Sequence, residues 1–110
     1  MITAKNYPVY WSHAAKTDLA EIVEYIAKDS PQTALKVLKT LESQIKKLYQ
    51  FPKSGRIVPE LKKHNIYKYR ELIHGPWRIF YKTEENKVFI LAVVDGRRNV
   101  EDLLLRRQLR

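Results

Sequence analysis

Four arginines in the second half of the chain are the residues best suited to chemistry. Arg70 and Arg78 lie in two segments that alternate like β-strands, and Arg97 and Arg98 follow Gly96 at the end of a third segment. Arginine within a strand is unusual unless that face of the sheet meets an anion. The planar guanidinium group of arginine binds two phosphate oxygens and stays charged throughout a reaction. The pattern therefore indicates phosphate as the first candidate ligand.

The loop between the first two of these strands decides which side chains share a face. A two-residue loop places Arg78 opposite Ile73 and on the other face from Arg70. A three-residue loop places Arg78 opposite His74 and Lys82 opposite Arg70, so that these four side chains form one phosphate-binding group. The sequence leaves both registers open.

Three strands joined by tight turns are predicted in this half of the chain. Tyr67–His74 and Trp77–Thr83 alternate between apolar and polar residues and are joined by a Gly75-Pro76 turn. Val88–Asp95 is apolar on both faces, which is typical of a central strand. Together they should form an antiparallel meander.

Two amphipathic helices precede the strands. Ser12 can cap a helix that runs to about residue 28. Asp29-Ser30-Pro31 ends this helix and starts a second one, which stops before Phe51-Pro52. The apolar stripe of the second helix consists of Ala34, Leu38, Leu41, Ile45 and Leu48. It lasts only about two heptads, which favours packing within the chain over a coiled coil. The helices should form an antiparallel hairpin that covers one face of the sheet.

The order of elements is β-α-α-β-β-β-α, and the predicted class is α+β in a single domain, residues 1–110. Local rules do not place the first short strand, Tyr7–Trp11, in the sheet. The segment from Lys53 to Asn65 is predicted to be a loop, and Asn99 can cap a short closing helix. The face of the antiparallel sheet opposite the hairpin has no evident cover. We expect function on that face or in the groove beside it.

Positive charge is concentrated in the second half of the chain. The 110 residues carry 21 lysines and arginines against 12 acidic side chains, a formal net charge of +9. Residues 51–110 hold fourteen of the basic and seven of the acidic side chains, so +7 of the net charge lies there. Such a field attracts nucleic acid or an acidic protein partner, although basic surface also keeps a small protein soluble.

Composition argues against several classes of function. The chain has no cysteine, which excludes disulfides and thiolate metal sites and suits a reducing cytosol. His13, His64 and His74 lie on different elements without the spacing of metal ligands. No apolar run approaches the length of a membrane span, and the first residues lack the pattern of a signal peptide. We therefore expect a cytoplasmic protein with no metal, no organic cofactor and no membrane partner.

Short motifs keep one order over nearly the whole chain. They are Trp11-Ser12, Ala15, Asp18-Leu19, Ile22, Tyr25-Ile26, Phe51-Pro52, Gly55-Arg56, Val58-Pro59-Glu60-Leu61, Tyr69-Arg70-Glu71-Leu72, Trp77-Arg78-Ile79-Phe80-Tyr81, Val88 to Val94, and Gly96-Arg97-Arg98. In this order they resemble the RelE/ParE family of toxins from type II toxin–antitoxin modules, which includes plasmid-stabilisation proteins. The resemblance implies the same α+β fold and a cognate antitoxin as partner, which the basic charge of the chain predicts to be acidic.

The family contains two mechanisms. RelE-like members cleave messenger RNA in the ribosomal A site, whereas ParE-like members are non-catalytic and poison DNA gyrase. The RelE-like pattern has an arginine on the strand after the hairpin turn and another after the last strand, and Arg78 and Arg97 fall on those positions. RelE-like members also carry a tyrosine in the closing segment, whereas no tyrosine follows Tyr81 here. The resemblance favours a metal-independent endonuclease acting on ribosome-bound messenger RNA, with gyrase inhibition as the alternative. A third interpretation is a chain that has lost toxicity and persists only as an antitoxin-binding fold.

Cleavage of RNA by its own 2′-oxygen requires removal of a proton, stabilisation of a charged phosphorane and protonation of the leaving oxygen. Arg78 and Arg97 are the candidates for stabilising the phosphorane, with Arg70 as a third cation. His74 and Glu71 are the candidates for proton transfer, although a hairpin-tip histidine and a carboxylate paired with an arginine also have ordinary structural roles. Further substrate contacts are expected from Lys62, Lys63, Lys68, Lys82 and Arg98.

Overall fold

The structure is a computed structural model that describes residues 6–107. Its elements are β1 (Val9–Trp11), α1 (His13–Ala27), α2 (Pro31–Lys46) with a 3₁₀ turn (Lys47–Tyr49), β2 (Arg56–Ile57), α3 (Pro59–Lys62), β3 (Tyr69–His74), β4 (Trp77–Glu84), β5 (Lys87–Asp95) and α4 (Val100–Arg106). The five strands form one sheet in the order β1-β5-β4-β3-β2. The pair β1 and β5 is parallel and the other pairs are antiparallel, so the sheet is mixed. The predicted α+β class is confirmed. Among the described helices, none has the length and apolar character needed to cross a membrane.

The helices α1 and α2 cover one face of the sheet, as predicted. Each begins at a serine cap: Ser12 Oγ accepts a hydrogen bond from Ala15 N at 3.0 Å, and Ser30 Oγ accepts one from Thr33 N at 3.2 Å. Their buried side chains join those of the sheet in one cluster, formed by Ala15, Leu19, Leu41, Ile45, Leu48, Ile79, Tyr81, Val88, Ile90 and Val93. The apolar stripe of α2 is therefore used within the chain.

The second face of the sheet is also covered, so the expectation of an open face was wrong. A second buried cluster joins the α3 and α4 segments to the sheet: Val58, Leu61, Val100, Leu103 and Leu104 pack with Tyr69, Phe80, Ala92 and Val94. The segment expected to be a loop between Lys53 and Asn65 contains β2 and α3. These elements have two and four residues, and such short elements show no periodic pattern in a sequence.

The turn between β3 and β4 has two residues, which settles the register left open above. His74 pairs with Trp77 and Ile73 pairs with Arg78. Gly75, the first turn residue, has a positive φ of 56°, a conformation that glycine adopts without strain. Because side chains alternate between faces, Arg70 and Arg78 point to opposite faces of the sheet.

Side chains of α1 complete the outer edge of β5 beyond the end of β1. Ser12 Oγ donates to Leu91 O at 3.3 Å, and Asp18 Oδ2 accepts a hydrogen bond from Val93 N at 3.0 Å. The Asp18 carboxylate also accepts two bonds of 2.7 Å from Arg107. The carboxylate of Asp18 thus accepts the hydrogen bond of a backbone N–H on the edge of β5, and it also ties the end of α4 to α1.

Leu41→Ala should lower the free energy of unfolding by about 2–5 kcal/mol, because Leu41 is fully buried in the cluster under the hairpin. Leu35→Ala on the same helix is the matched control, since its side chain is 50% exposed and its loss should cost less than about 0.5 kcal/mol. Urea unfolding of both variants gives the comparison. Equal effects would mean that the stripe of α2 does not form a core.

Candidate functional site

The guanidinium of Arg78 lies between two carboxylates. Its Nη1 and Nη2 donate to the two oxygens of Glu60 at 2.6 and 2.7 Å. Its Nε and Nη2 donate to the two oxygens of Glu71 at 2.5 and 2.7 Å. Arg56 Nε donates to the same Glu71 at 3.0 Å. We call these four residues the Arg78 cluster.

Four elements, β2, α3, β3 and β4, and the loop after β5 bring the Arg78 cluster together. Glu71 in β3 pairs directly with Arg56 in β2. Arg78 in β4 is its diagonal neighbour on the same face, within reach of a long side chain. Glu60 reaches the site from the first turn of α3. A Cβ added at Gly96 would lie 2.9 Å from Cδ of Arg78, so only glycine lets the loop after β5 pass this close to the arginine.

The hydrogen bonds between Arg78 and Glu60 favour the ionised forms of both side chains. Hydrogen bonds to Glu60 and then to Glu71 raise the pKa of Arg78 above its ordinary value. The hydrogen bond from Arg78 lowers the pKa of Glu60. Two positive and two negative side chains leave the Arg78 cluster neutral. Arg78, with 11% of its side chain exposed, has both edges of its fork in use.

Two further candidates for catalysis, Arg70 and His74, lie on the opposite face of the sheet from Arg78. Nη1 of Arg70 donates to Gly55 O at 2.8 Å, so this arginine supports the loop before β2. His74 stands at the end of β3, beside the turn. The two-residue turn therefore keeps Arg70, His74, Arg78 and Lys82 from forming the single group that a three-residue loop would have produced.

Arg97 is the exposed arginine of the predicted catalytic set, with 79% of its side chain accessible. Its Nε and Nη2 donate to the carboxylate of Asp95, which lowers the pKa of Asp95 to about 2. The same hydrogen bonds raise the pKa of Arg97. Arg98 is also exposed, and its backbone N–H donates to Asp95 O at 3.1 Å. These two arginines form a basic loop beside the Arg78 cluster.

The predicted substrate-binding lysines are spread over the surface. Lys63 lies 2.6 Å from Glu101 and helps to hold α4. Lys82 lies 3.0 Å from Glu84, and Lys68 lies over the ring of Tyr69. Lys62 is exposed at the end of α3. Over residues 6–107, no group of three or more histidine, aspartate or glutamate side chains is arranged to hold a metal ion.

Sequence reasoning assigned no role to Glu60 or Arg56, although both lie in the motifs of the family resemblance. Their partners are strand residues that come close only in the folded chain. Glu60 lies 18 positions from Arg78, and Arg56 lies 15 positions from Glu71. Pairing across such separations leaves no periodic signal in a sequence. The one local sign of a role for Glu60 was its place directly after Pro59, a pattern typical of the start of a short helix.

Two open grooves flank Trp11, where β1 meets the helical hairpin. The larger, of about 950 Å³, lies between β1 and the second half of α2 and is lined by Val9, Trp11, Lys39, Glu42, Ser43, Ile45, Lys46, Lys47, Tyr49 and Gln50. The smaller, of about 530 Å³, lies between α1 and α2 and is lined by Trp11, Lys16, Leu19, Ala20, Val23, Glu24, Leu38 and Glu42. Sequence reasoning missed both, because each arises only when β1 is placed beside the helices.

This architecture is shared with solved toxin–antitoxin structures. One is the chromosomal ParDE system from P. aeruginosa, which matches 83% of this chain and 97% of its own chain at 22% identity, with a TM-score of 0.66. Another is the RelBE2 toxin–antitoxin complex from Mycobacterium tuberculosis, at 84% and 94% coverage, 19% identity and a TM-score of 0.55. At these identities the likeness concerns the fold.

The chain belongs to the family of ParE toxins of type II toxin–antitoxin systems, parDE, whose family model matches residues 9–100. The protein is therefore the toxin of a type II toxin–antitoxin system, as the resemblance implied. No curated protein matches the chain.

Arg78→Ala should lower the free energy of unfolding by about 3–5 kcal/mol, because Glu60 loses its guanidinium partner and the buried Glu71 keeps only its hydrogen bond from Arg56. Arg97→Ala is the control: it also removes an arginine paired with a carboxylate, but at an exposed site where water replaces the lost partner and stability should change little. Thermal and urea unfolding would measure both. Equal stability of the two variants would contradict a structural role for Arg78.

Proposed function

We propose that this toxin acts by binding its target, without cleaving nucleic acid, and that the target is DNA gyrase. One observation carries the proposal: the guanidinium of Arg78, the leading candidate for catalysis, is occupied on both edges by Glu60 and Glu71. A catalytic arginine needs donors that are free to meet the developing charge of a phosphorane.

A comparison of the free energy gained from a catalytic donor with the free energy of charge repulsion supports this proposal. A preorganised donor to a transition-state anion is worth about 3–4 kcal/mol. A phosphorane bound at Arg78 would lie beside the carboxylates of Glu60 and Glu71. Two like charges about 4 Å apart repel by about 4 kcal/mol at an effective dielectric constant of 20. The repulsion is as large as the expected gain, so the site disfavours this transition state.

The choice of gyrase follows from the family. The matching family model is that of ParE toxins, and the resemblance links ParE-like members to gyrase poisoning without catalysis. A toxin that works by binding needs no general acid. This fits a chain with no tyrosine after Tyr81.

Cleavage of ribosome-bound messenger RNA is the second candidate. The exposure of Arg97 and Arg98 on the loop after β5 favours it, since both can reach an external phosphate. In that mechanism the catalytic roles assigned from the sequence to Arg70, Arg78, Arg97, His74 and Glu71 are divided between the two faces of the sheet, because Arg70 and His74 lie opposite Arg78 and Glu71.

Two assays on the wild-type toxin separate the candidates. With purified gyrase, the toxin should inhibit DNA supercoiling at stoichiometric amounts. In cells, induction should start a DNA-damage response while primer extension shows intact messages. Discrete cuts within translated codons, together with unaffected supercoiling, would overturn the proposal in favour of the endonuclease. In that case Arg97→Ala should lower cleavage about a hundredfold.

The antitoxin partner fits the grooves beside Trp11. The sheet face opposite the helical hairpin, where function was expected, is covered by side chains of the α3 and α4 segments. The larger groove has an apolar floor that includes Trp11 and Ile45 and a rim with Lys39, Lys46 and Lys47. An amphipathic helix with acidic flanks matches this arrangement, because apolar anchors enter such a groove while charges meet its rim.

Lys39→Glu/Lys46→Glu should slow association with the cognate antitoxin and weaken the dependence of the on-rate on salt, since rim charges act mainly on encounter. Lys28→Glu/Lys36→Glu changes the net charge equally but lies outside the grooves, so it is the matched control. Surface plasmon resonance at several ionic strengths measures both. Equal slowing by the two pairs would mean that overall charge, and not this groove, guides the antitoxin.

A further inference from the structure

The carboxylate of Glu60 binds Arg78 in the way that a phosphate would. Its two oxygens accept from Nη1 and Nη2 at 2.6 and 2.7 Å, side by side across the end of the guanidinium. Arginine uses this two-pronged geometry for carboxylates and phosphates alike. The chain itself therefore supplies the anion at this position.

The two carboxylates of the Arg78 cluster differ in how firmly they are held. Glu71 lies within β3, its side chain is fully buried, and it also accepts a bond from Arg56. Glu60 lies on the four-residue helix α3, and 27% of its side chain is exposed. Glu71 is thus a fixed part of the sheet, whereas Glu60 closes the site on its solvent side.

The charge of the site depends on Glu60. With it, the two arginines and two glutamates of the Arg78 cluster balance. Without its charge, Arg56, Glu71 and Arg78 leave one positive charge beside a partly exposed opening. Arg56 lies near enough to Glu60 to help lower the pKa of that carboxyl, although Arg78 is the larger cause. An anion that replaced Glu60 would therefore meet two guanidinium groups.

We infer that Arg78, with Arg56 beside it, forms a phosphate-binding site that Glu60 fills as an internal anion. Glu60 is then the residue that determines specificity: its charge excludes the phosphates of nucleic acids from the arginine on β4. This concerns the phosphate site alone and is independent of whether gyrase is the target.

The test is a titration of Glu60→Gln with inorganic phosphate, in which NMR follows the Nε–H signals of Arg78 and of Arg56, the second of which is present in every variant. Glutamine keeps the size of the side chain and removes its charge. The variant should bind phosphate about tenfold more tightly than wild type, or better, since the like charge has gone. The Arg78 signal should shift with phosphate in the variant, and Glu60→Gln/Arg78→Lys should lose most of the gain because lysine lacks the two-pronged geometry.

Glu101→Gln is the matched control. Glu101 is also a paired glutamate on a short helix, with 31% of its side chain exposed, and its replacement changes the net charge equally. A folded Glu60→Gln that binds phosphate no better than Glu101→Gln would overturn the inference, as would an equal gain in both. Glu60→Ala offers a second route if glutamine prevents folding. Loss of folding in both would show that Glu60 is a structural support and would also overturn the inference.

Discussion

The pairing of Ile73 with Arg78 across a two-residue turn is the constraint on which the rest of the structure depends. Side chains of a strand alternate between faces, so this one register assigns every residue of β3 and β4 to a side. It puts Ile79 and Tyr81 under the helical hairpin and Phe80 under α3 and α4. A shift by one residue would exchange these sets and place Arg78 under the hairpin, away from Glu60.

Helical segments pack on both faces of the sheet as a result, and this limits where a toxin of this size can meet its partners. Its accessible features lie at the margins: the grooves beside Trp11, the basic loop with Arg97 and Arg98, and the opening beside Glu60. Functional surfaces at the rim of a rigid sheet keep their geometry, since the core behind them is closely packed. The helical hairpin thus serves as a core element and as a wall of the grooves beside Trp11.

Basic charge and buried charge play different parts in this protein. The net charge of +9 acts at the surface, where a field of this sign favours the approach of acidic partners. Arg78 contributes little to that field, because Glu60 and Glu71 neutralise it. The pairing of Arg78 with Glu60 and Glu71 ties α3 to the sheet. In the same way, the pairing of Asp18 with Arg107 ties α4 to α1. A count of arginines therefore overstates the positive charge that is available to bind a phosphate.

Local patterns in the sequence determined the two helices, their serine caps, the meander and the cap of the closing helix. Each of these depends on residues a few positions apart, and their outcome matched the prediction. Only the tertiary structure decided the parallel place of β1, the register at the turn, the cover over the second face and the partners of Arg78. Glu60 lies 18 positions from Arg78, and Asp18 lies 89 positions from Arg107. Contacts over such distances depend on how whole elements pack, and a single sequence carries no local record of that packing.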